Sequence, residues 1–295
     1  MTVNFPQLRA FLAVVDAGGF SAAAAELGMS QSAVSHAVAS LERELAAPLL
    51  VRSGPVRTTA LGERVLPYAR GALSAVRAVE EIAADAGTPV GTVRLASTPT
   101  VCQGLLPGLL RHWRESLPRV TVRLFEGDSS EVAQWLENGT ADAAVLVDPP
   151  PGPGVQLALD GYRALLPRDH PLAGEPAVDI RDLEDDEFLI SPNGCEDRVR
   201  ALHRLAGLRF SPTHRVRDLA TLISMVQAGI GVTVLSEVSR SLVPPDLVLL
   251  PVEPRASRRL VLSGPLGRAW HPAVRPLAKA AVTHLSRTTD PTPTS

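Results

Sequence analysis

The sequence predicts an α + α/β protein: a small helical head, a connecting helix, and a larger body of alternating strands and helices. Three observations carry that prediction. Two short helices separated by a glycine turn stand near the start of the chain. An alanine-rich apolar seam with four-three spacing follows them. From Val90 onward, short apolar runs alternate with helical patterns.

In the head, Leu8, Phe11, Leu12 and Val15 recur at helical spacing, and Gly18-Gly19 ends that first helix. Ser21 reads as the N-cap of a short second helix reaching Leu27, whose small side chains admit close approach. Gly28 suits the turn that follows. Ser30 reads as another N-cap, and a third helix runs from Gln31 to about Ala46. Val34, Val38, Leu41 and Leu45 form its buried stripe, while Gln31, Ser32, Ser35, His36 and Arg43 face away. Two short helices with a polar outer face on the second suit a helix-turn-helix, whose second helix enters the DNA major groove. Gln pairs with adenine, and Ser and His reach base edges or phosphates. By spacing alone, an ordinary helical hairpin with a solvated face fits equally well.

The connecting helix spans about Leu61 to Ala86. Val65, Ala69, Ala72, Val76, Val79, Ala83 and Ala86 alternate by four and three, and Pro67 is tolerable near a helix start. The seam pairs subunits or packs on its own domain. Gly87-Thr88-Pro89 reads as a hinge.

In the body, Val93–Ala96 reads as a strand, followed by a helix carrying Leu105, Leu106, Leu109 and Leu110. Val120–Phe125 is a strand, Ser129-Ser130 opens a helix, and Ala143–Val147 is a buried strand. After a Pro-Gly loop, a second α/β unit begins near Tyr162. It holds strands at Phe188–Ile190, Val232–Leu235 and Leu260–Leu262, and helices after Cys195 and at Leu219–Ala228. A last helix spans about Ala273 to Ser286, before a Thr- and Pro-rich tail expected to be disordered.

Composition narrows the function. The net charge of −2 excludes a global field for nucleic acid, so DNA binding must be local. Two cysteines in 295 residues are too few for a disulfide scaffold and fit a reducing compartment. No secretory signal or membrane span is visible, so a cytoplasmic protein with no membrane partner is expected. There is no phosphate loop, zinc-spaced Cys/His set or Gly-x-Ser-x-Gly elbow. Neither an enzyme nor a cofactor is expected. A solute-binding protein would share the α/β lobes, but would need export and would carry no helix-turn-helix.

Longer motifs sharpen the reading. Gly19-Phe20-Ser21-x-Ala23-Ala24-x-x-Leu27 and Ser30-Gln31-x-Ala33-Val34-Ser35-x-x-Val38-x-x-Leu41-Glu42-x-x-Leu45 closely resemble the LysR-type helix-turn-helix. Gly91-x-Val93-Arg94-Leu95, Asn138-Gly139-x-x-Asp142, His170-Pro171-Leu172-Ala173 and Val226-x-Ala228-Gly229-x-Gly231-Val232 resemble the LysR-type effector domain. The resemblance implies a bacterial sequence-specific transcription regulator. A winged helix-turn-helix would occupy residues 1–60, a dimerising linker helix 61–87, and a periplasmic-binding-protein-like effector domain 88–295. Its first lobe would be 91–161 plus 263–295 and its second 162–262. The partners implied are double-stranded promoter or operator DNA, a small-molecule effector between the lobes, and further copies in a homodimer or homotetramer. The resemblance also admits RNA polymerase as a partner.

DNA contacts are expected from Gln31, Ser32, Ser35 and His36, and phosphate contacts from Arg52 and Arg57. The wing departs from the family pattern: Leu50 stands where Phe is usual, and the tip at Ser53-Gly54-Pro55 is about one residue short. Arg9, Arg43, Arg52 and Arg57 balance Asp16, Glu26, Glu42 and Glu44, so the head is formally neutral and a shallow salt dependence per subunit is expected. Thr98, Thr100 and Ser129 stand where strands give way to helices, where free N–H groups hold anions. With Asn193, Cys195 and His214 from the other lobe they form the expected effector site, although simple N-capping also explains the hydroxyls. Cys195 and His214 fall near positions used by peroxide-sensing members of the family. The resolving cysteine of those sensors has no counterpart; His203 and Arg204 stand near its place. The sequence favours Cys102 and Cys195 as buried fillers.

Overall fold

A computed structural model of the chain describes residues 2–51, 54–84, 89–192 and 195–289. The head is built from α1 (Phe5–Asp16), α2 (Phe20–Leu27) and α3 (Gln31–Glu44), with a two-stranded wing of β1 (Leu50–Val51) and β2 (Arg57–Thr58). Asn4 and Gln7 form a reciprocal capping box that starts α1. Phe11, Val14, Val34, Val38, Leu41 and Leu49 are fully buried and make the head's core. Ser30 caps α3 by accepting from the Ala33 N–H, as expected. Ser21 does not cap α2. The helix begins two residues earlier than that cap implies, at Phe20, with Gly19 as its uncapped N-cap, which frees the Ser21 hydroxyl to reach Gln31.

Helix α4 (Ala60–Ala84) carries Pro67 inside it. Its expected seam divides. Ala69 is buried in the head's core and Val65 packs against it, whereas Val79 is 67% exposed. Arg70 of α4 ion-pairs with Asp16 of α1, and the Ser74 hydroxyl approaches Asp142 of the body at 3.5 Å. The hinge at Gly87-Thr88 and the tail beyond 289 lie outside the described residues.

The body has two lobes. In the first, β4 (Val120–Glu126), β3 (Gly91–Ser97) and β5 (Ala143–Val147) run parallel, flanked by α6 (Leu106–Ser116), α7 (Ser129–Glu137) and α10 (Val274–Thr289). The expected single helix after Thr98 is two, α5 (Pro99–Gly104) and α6, because the chain turns at Leu105. In the second lobe, β10 (Val232–Ser236), β8 (Phe188–Ile190) and β9 (His214–Arg215) run parallel, with α8 (Glu196–Leu205) and α9 (Leu219–Gln227). Each lobe has its own apolar core.

A single long strand, β6 (Val155–Pro167), joins them. Residues 155–161 pair with β12 (Ser257–Ser263), and residues 162–167 pair with β10 and β11 (Leu247–Glu253). The return crossing differs from the expected boundary near 262. Strand β12 lies between β5 and the first half of β6, so residues 257–262 belong to the first lobe's sheet, and the chain crosses at 254–256.

Candidate DNA-reading helix and interlobe site

Helix α3 presents Gln31, Ser32, Ser35 and His36 along one edge, at positions i, i+1, i+4 and i+5. Gln31, Ser32 and His36 are exposed and Ser35 is half-buried. The Ser21 hydroxyl donates to Gln31 Oε1 at 3.2 Å, which holds the amide in place and leaves its NH2 to donate outward. Ser32 shares a hydrogen bond with Ser30 at 3.0 Å. Arg57 is exposed on β2; Arg52 lies outside the described residues.

The formal neutrality of the head conceals an asymmetry. Glu42 accepts from the Leu49 and Leu50 N–H groups at 2.8 and 3.2 Å, tying the wing to α3. Glu44 accepts from the Thr2 N–H, and Asp16 is taken up by Arg70. Three of the head's four acids are thus engaged with the protein itself, while Arg9, Arg43 and Arg57 are exposed. Backbone hydrogen bonds leave the charges of Glu42 and Glu44 in place; Asp16 is offset by Arg70, a cation outside residues 1–60.

Between the lobes stands a buried cation that sequence reasoning missed. Arg258 on β12 is completely buried. Its Nε donates to Asp160 Oδ2 at 2.7 Å, and its Nη2 donates to Ser236 Oγ at 2.8 Å and to Thr100 Oγ1 at 3.2 Å. Its Nη1 reaches Cys195 Sγ at 4.0 Å, and its guanidinium lies 5.9 Å from the Tyr162 ring centre. Asp160 also accepts from the Val238 N–H at 3.0 Å. Arg258 and Thr100 come from the first lobe, Ser236 and Cys195 from the second. One guanidinium therefore stitches the junction. At its edge, Arg198 of α8 pairs with Asp148, which follows β5.

The expected effector residues divide around this hub. Thr100 and Cys195 are brought together on Arg258. Thr98 lies two residues from Thr100; its hydroxyl is buried without a partner. Ser129 and His214 are exposed, and among the described residues no contact joins either to Arg258. Ser129 is the first residue of α7, whose cap is Asp128 rather than a serine. Asn193 lies outside the described residues. Tyr162 also has a buried hydroxyl without a partner, and burial pushes its pKa up. Burial likewise raises the Cys195 thiol, opposed by Arg258, and pushes Cys102 up to about 12. Both are neutral, buried thiols at neutral pH, as the filler reading expects.

A reading helix, a long linker and two lobes hinged on crossing strands define a one-component regulator. Comparison with known proteins gives its family. Residues 5–63 match the bacterial regulatory helix-turn-helix protein of the lysR family, and residues 86–286 match the LysR substrate binding domain. The HTH-type transcriptional regulator YvbU of Bacillus subtilis, itself uncharacterized, is 30% identical over 90% of this chain and 92% of its own length. A probable hydrogen peroxide-inducible genes activator of Mycobacterium leprae is 34% identical over 78% of this chain and 76% of its own. The structure of a full-length OxyR variant from Pseudomonas aeruginosa shares the fold, with a TM-score of 0.78 and 24% identity over 95% of each chain. The chain belongs to the LysR family of transcription regulators; it is a DNA-binding regulator with an effector-binding domain.

Proposed function

We propose that this regulator reads DNA with Gln31, Ser32, Ser35 and His36, and grips phosphate with Arg57 and Arg52. The observation that carries this reading is the Ser21–Gln31 hydrogen bond, which orients an exposed amide at the start of α3. Two or more chains supply the paired heads that separated half-sites need, joined through the second half of α4, where Val79 is exposed. The effector is a small molecule taken up at the junction around Arg258, where Thr98 and Tyr162 offer buried hydroxyls without partners. It acts by favouring one arrangement of the lobes over another. The protein works in the cytoplasm and is not an enzyme; no described helix is long and apolar enough to cross a membrane.

The test is binding of the purified full-length chain to the DNA upstream of its own gene, across a range of salt. Native protein binds specifically, and Gln31→Ala and Ser35→Ala each weaken binding by about 1–3 kcal/mol while melting unchanged. Specific binding that survives both changes would move base reading to the wing.

Peroxide sensing, suggested by the name of the mycobacterial relative, is a second reading. Besides the positions of Cys195 and His214 in the sequence, the contact of Cys195 with Arg258 favours it. The burial of that thiol, together with its raised pKa, opposes fast oxidation. Mass spectrometry after stoichiometric peroxide decides it: Cys195 stays reduced if the first reading holds.

A further inference from the structure

A cavity lies away from the interlobe junction. It occupies about 1100 Å3 between the first half of α4 and the first lobe. Helix α4 supplies one wall, including Tyr68 and Gly71; the loops around residues 149–154 and 263–268 supply the other. Its size is close to that of small-molecule sites, roughly 300–1,000 Å3. Tyr68 and Leu266, 80% and 78% exposed, stand on its two sides and leave apolar surface without cover.

The charge on its wall is unbalanced. Arg268 lines the cavity, and its Nη2 donates to the carbonyls of Leu136 and Ala141 at 3.1 Å each. Its Nε is buried and has no acceptor. The carboxylate nearest in charge, Asp142, is committed elsewhere: it accepts from Arg94 Nε, Nη2 and backbone N–H at 2.9, 2.7 and 2.9 Å. Burial opposes the charge on Arg268, and Arg94 repels it further; Asp142 offsets this only in part. A guanidinium does not escape by deprotonating at neutral pH. Arg259 adds a second cation to the lining, its Nη2 donating to the Pro149 carbonyl at 2.9 Å and its Nε standing 3.9 Å from Asp148, while Glu137 is the one acid of the lining among the described residues.

We propose that this cleft binds an apolar organic carboxylate, its anionic head on Arg268 and its hydrocarbon body against Tyr68 and the loop wall. Such a molecule touches both α4, which carries the head, and the first lobe. It therefore fastens the linker to the effector domain from a site that shares no residue with the Arg258 hub.

The test uses the full-length protein and isothermal titration with 4-phenylbutyrate, with 4-phenylbutyramide as the uncharged control. A Cβ at Gly71 would meet nothing within 4 Å, so Gly71→Leu fills the cleft without disturbing the helix. Arg268→Gln removes the charge. The expected result is one acid bound per chain, with the amide, Gly71→Leu and Arg268→Gln each weakening binding about tenfold or more. Thr100→Val, at the interlobe hub, leaves it unchanged. Should Arg268→Gln fail to fold, Gly71→Leu and the amide still decide. No binding at millimolar acid would overturn the proposal, as would equal binding of acid and amide. Loss of binding in Thr100→Val would assign the anion to the interlobe site instead. A change of oligomeric mass in Gly71→Leu, with no acid bound by the native chain, would make the cleft a contact between copies and equally overturn it.

Discussion

Arg258 shows what a single residue decides here, and why it was hard to see. A buried guanidinium costs several kcal/mol to desolvate and persists only when its hydrogen bonds are met. Asp160, Ser236 and Thr100 meet them, but they are 98, 22 and 158 residues away along the chain. One local signal existed: the period of two in β12 places Arg258 on the face of Leu260. Arg258→Leu is expected to cost roughly 3–5 kcal/mol, because Asp160 is left buried and unpaired. Adding Asp160→Leu should recover part of that loss; urea unfolding of the single and double variants measures it. His203 gives a pH prediction. It is buried, donates through Nδ1 to the Val199 carbonyl at 2.8 Å, and meets the rings of Phe188 and Phe210. Burial lowers its pKa from the ordinary 6.5, so below that pH the unfolded chain binds the proton more readily than the folded one. Stability should fall as pH drops through 6.5 towards the folded value. Melting of native protein and His203→Gln between pH 8 and pH 5 checks this, and the variant should lose that part of the pH slope.

The elements were largely legible, because apolar periodicity is local. Most strands and helices with long apolar runs stand where their spacing predicts; β11, with Leu247-Val248-Leu249-Leu250, is absent from the strands read from the sequence. What failed was punctuation set by contacts elsewhere. The first helix of the body is split at Leu105, and α2 starts at Phe20 without a side-chain cap. The first half of β6 offers only the short apolar run Leu157-Ala158-Leu159, which Asp160 and Gly161 end. Two substitutions test elements by sign. Ser30→Ala removes the hydroxyl that caps α3 and should cost about 1 kcal/mol. Gly62→Ala would ordinarily stabilise a helix by about 1 kcal/mol. Here the added Cβ would stand 2.2 Å from the Leu49 carbonyl oxygen, so α4 cannot pass the wing and the change should destabilise the head. Thermal unfolding of the full chain, followed by the helical signal, should show both losses; a gain of stability in Gly62→Ala would contradict the close approach of α4 to Leu49.

At the scale of the molecule, the two lobes meet at a pair of chain crossings. The sequence indicated two lobes through family motifs, but the exact return point needed the register of β12 against β5 and β6. The lobes are closed by the Arg258 hub, the Arg198–Asp148 pair, and the close approach of Gly104 to Val238. A Cβ at Gly104 would lie 1.9 Å from the Val238 carbonyl oxygen. Gly104→Ala should therefore pry the lobes apart at the junction without touching the head. The most direct measurement is the footprint of the full-length protein on the DNA upstream of its own gene, native against Gly104→Ala, with small-angle scattering to verify the opening. If interlobe closure sets the placement of the heads, the variant keeps its primary half-site but shifts or shortens the rest of the protected region. An unchanged footprint with demonstrably opened lobes would contradict the coupling on which this account rests.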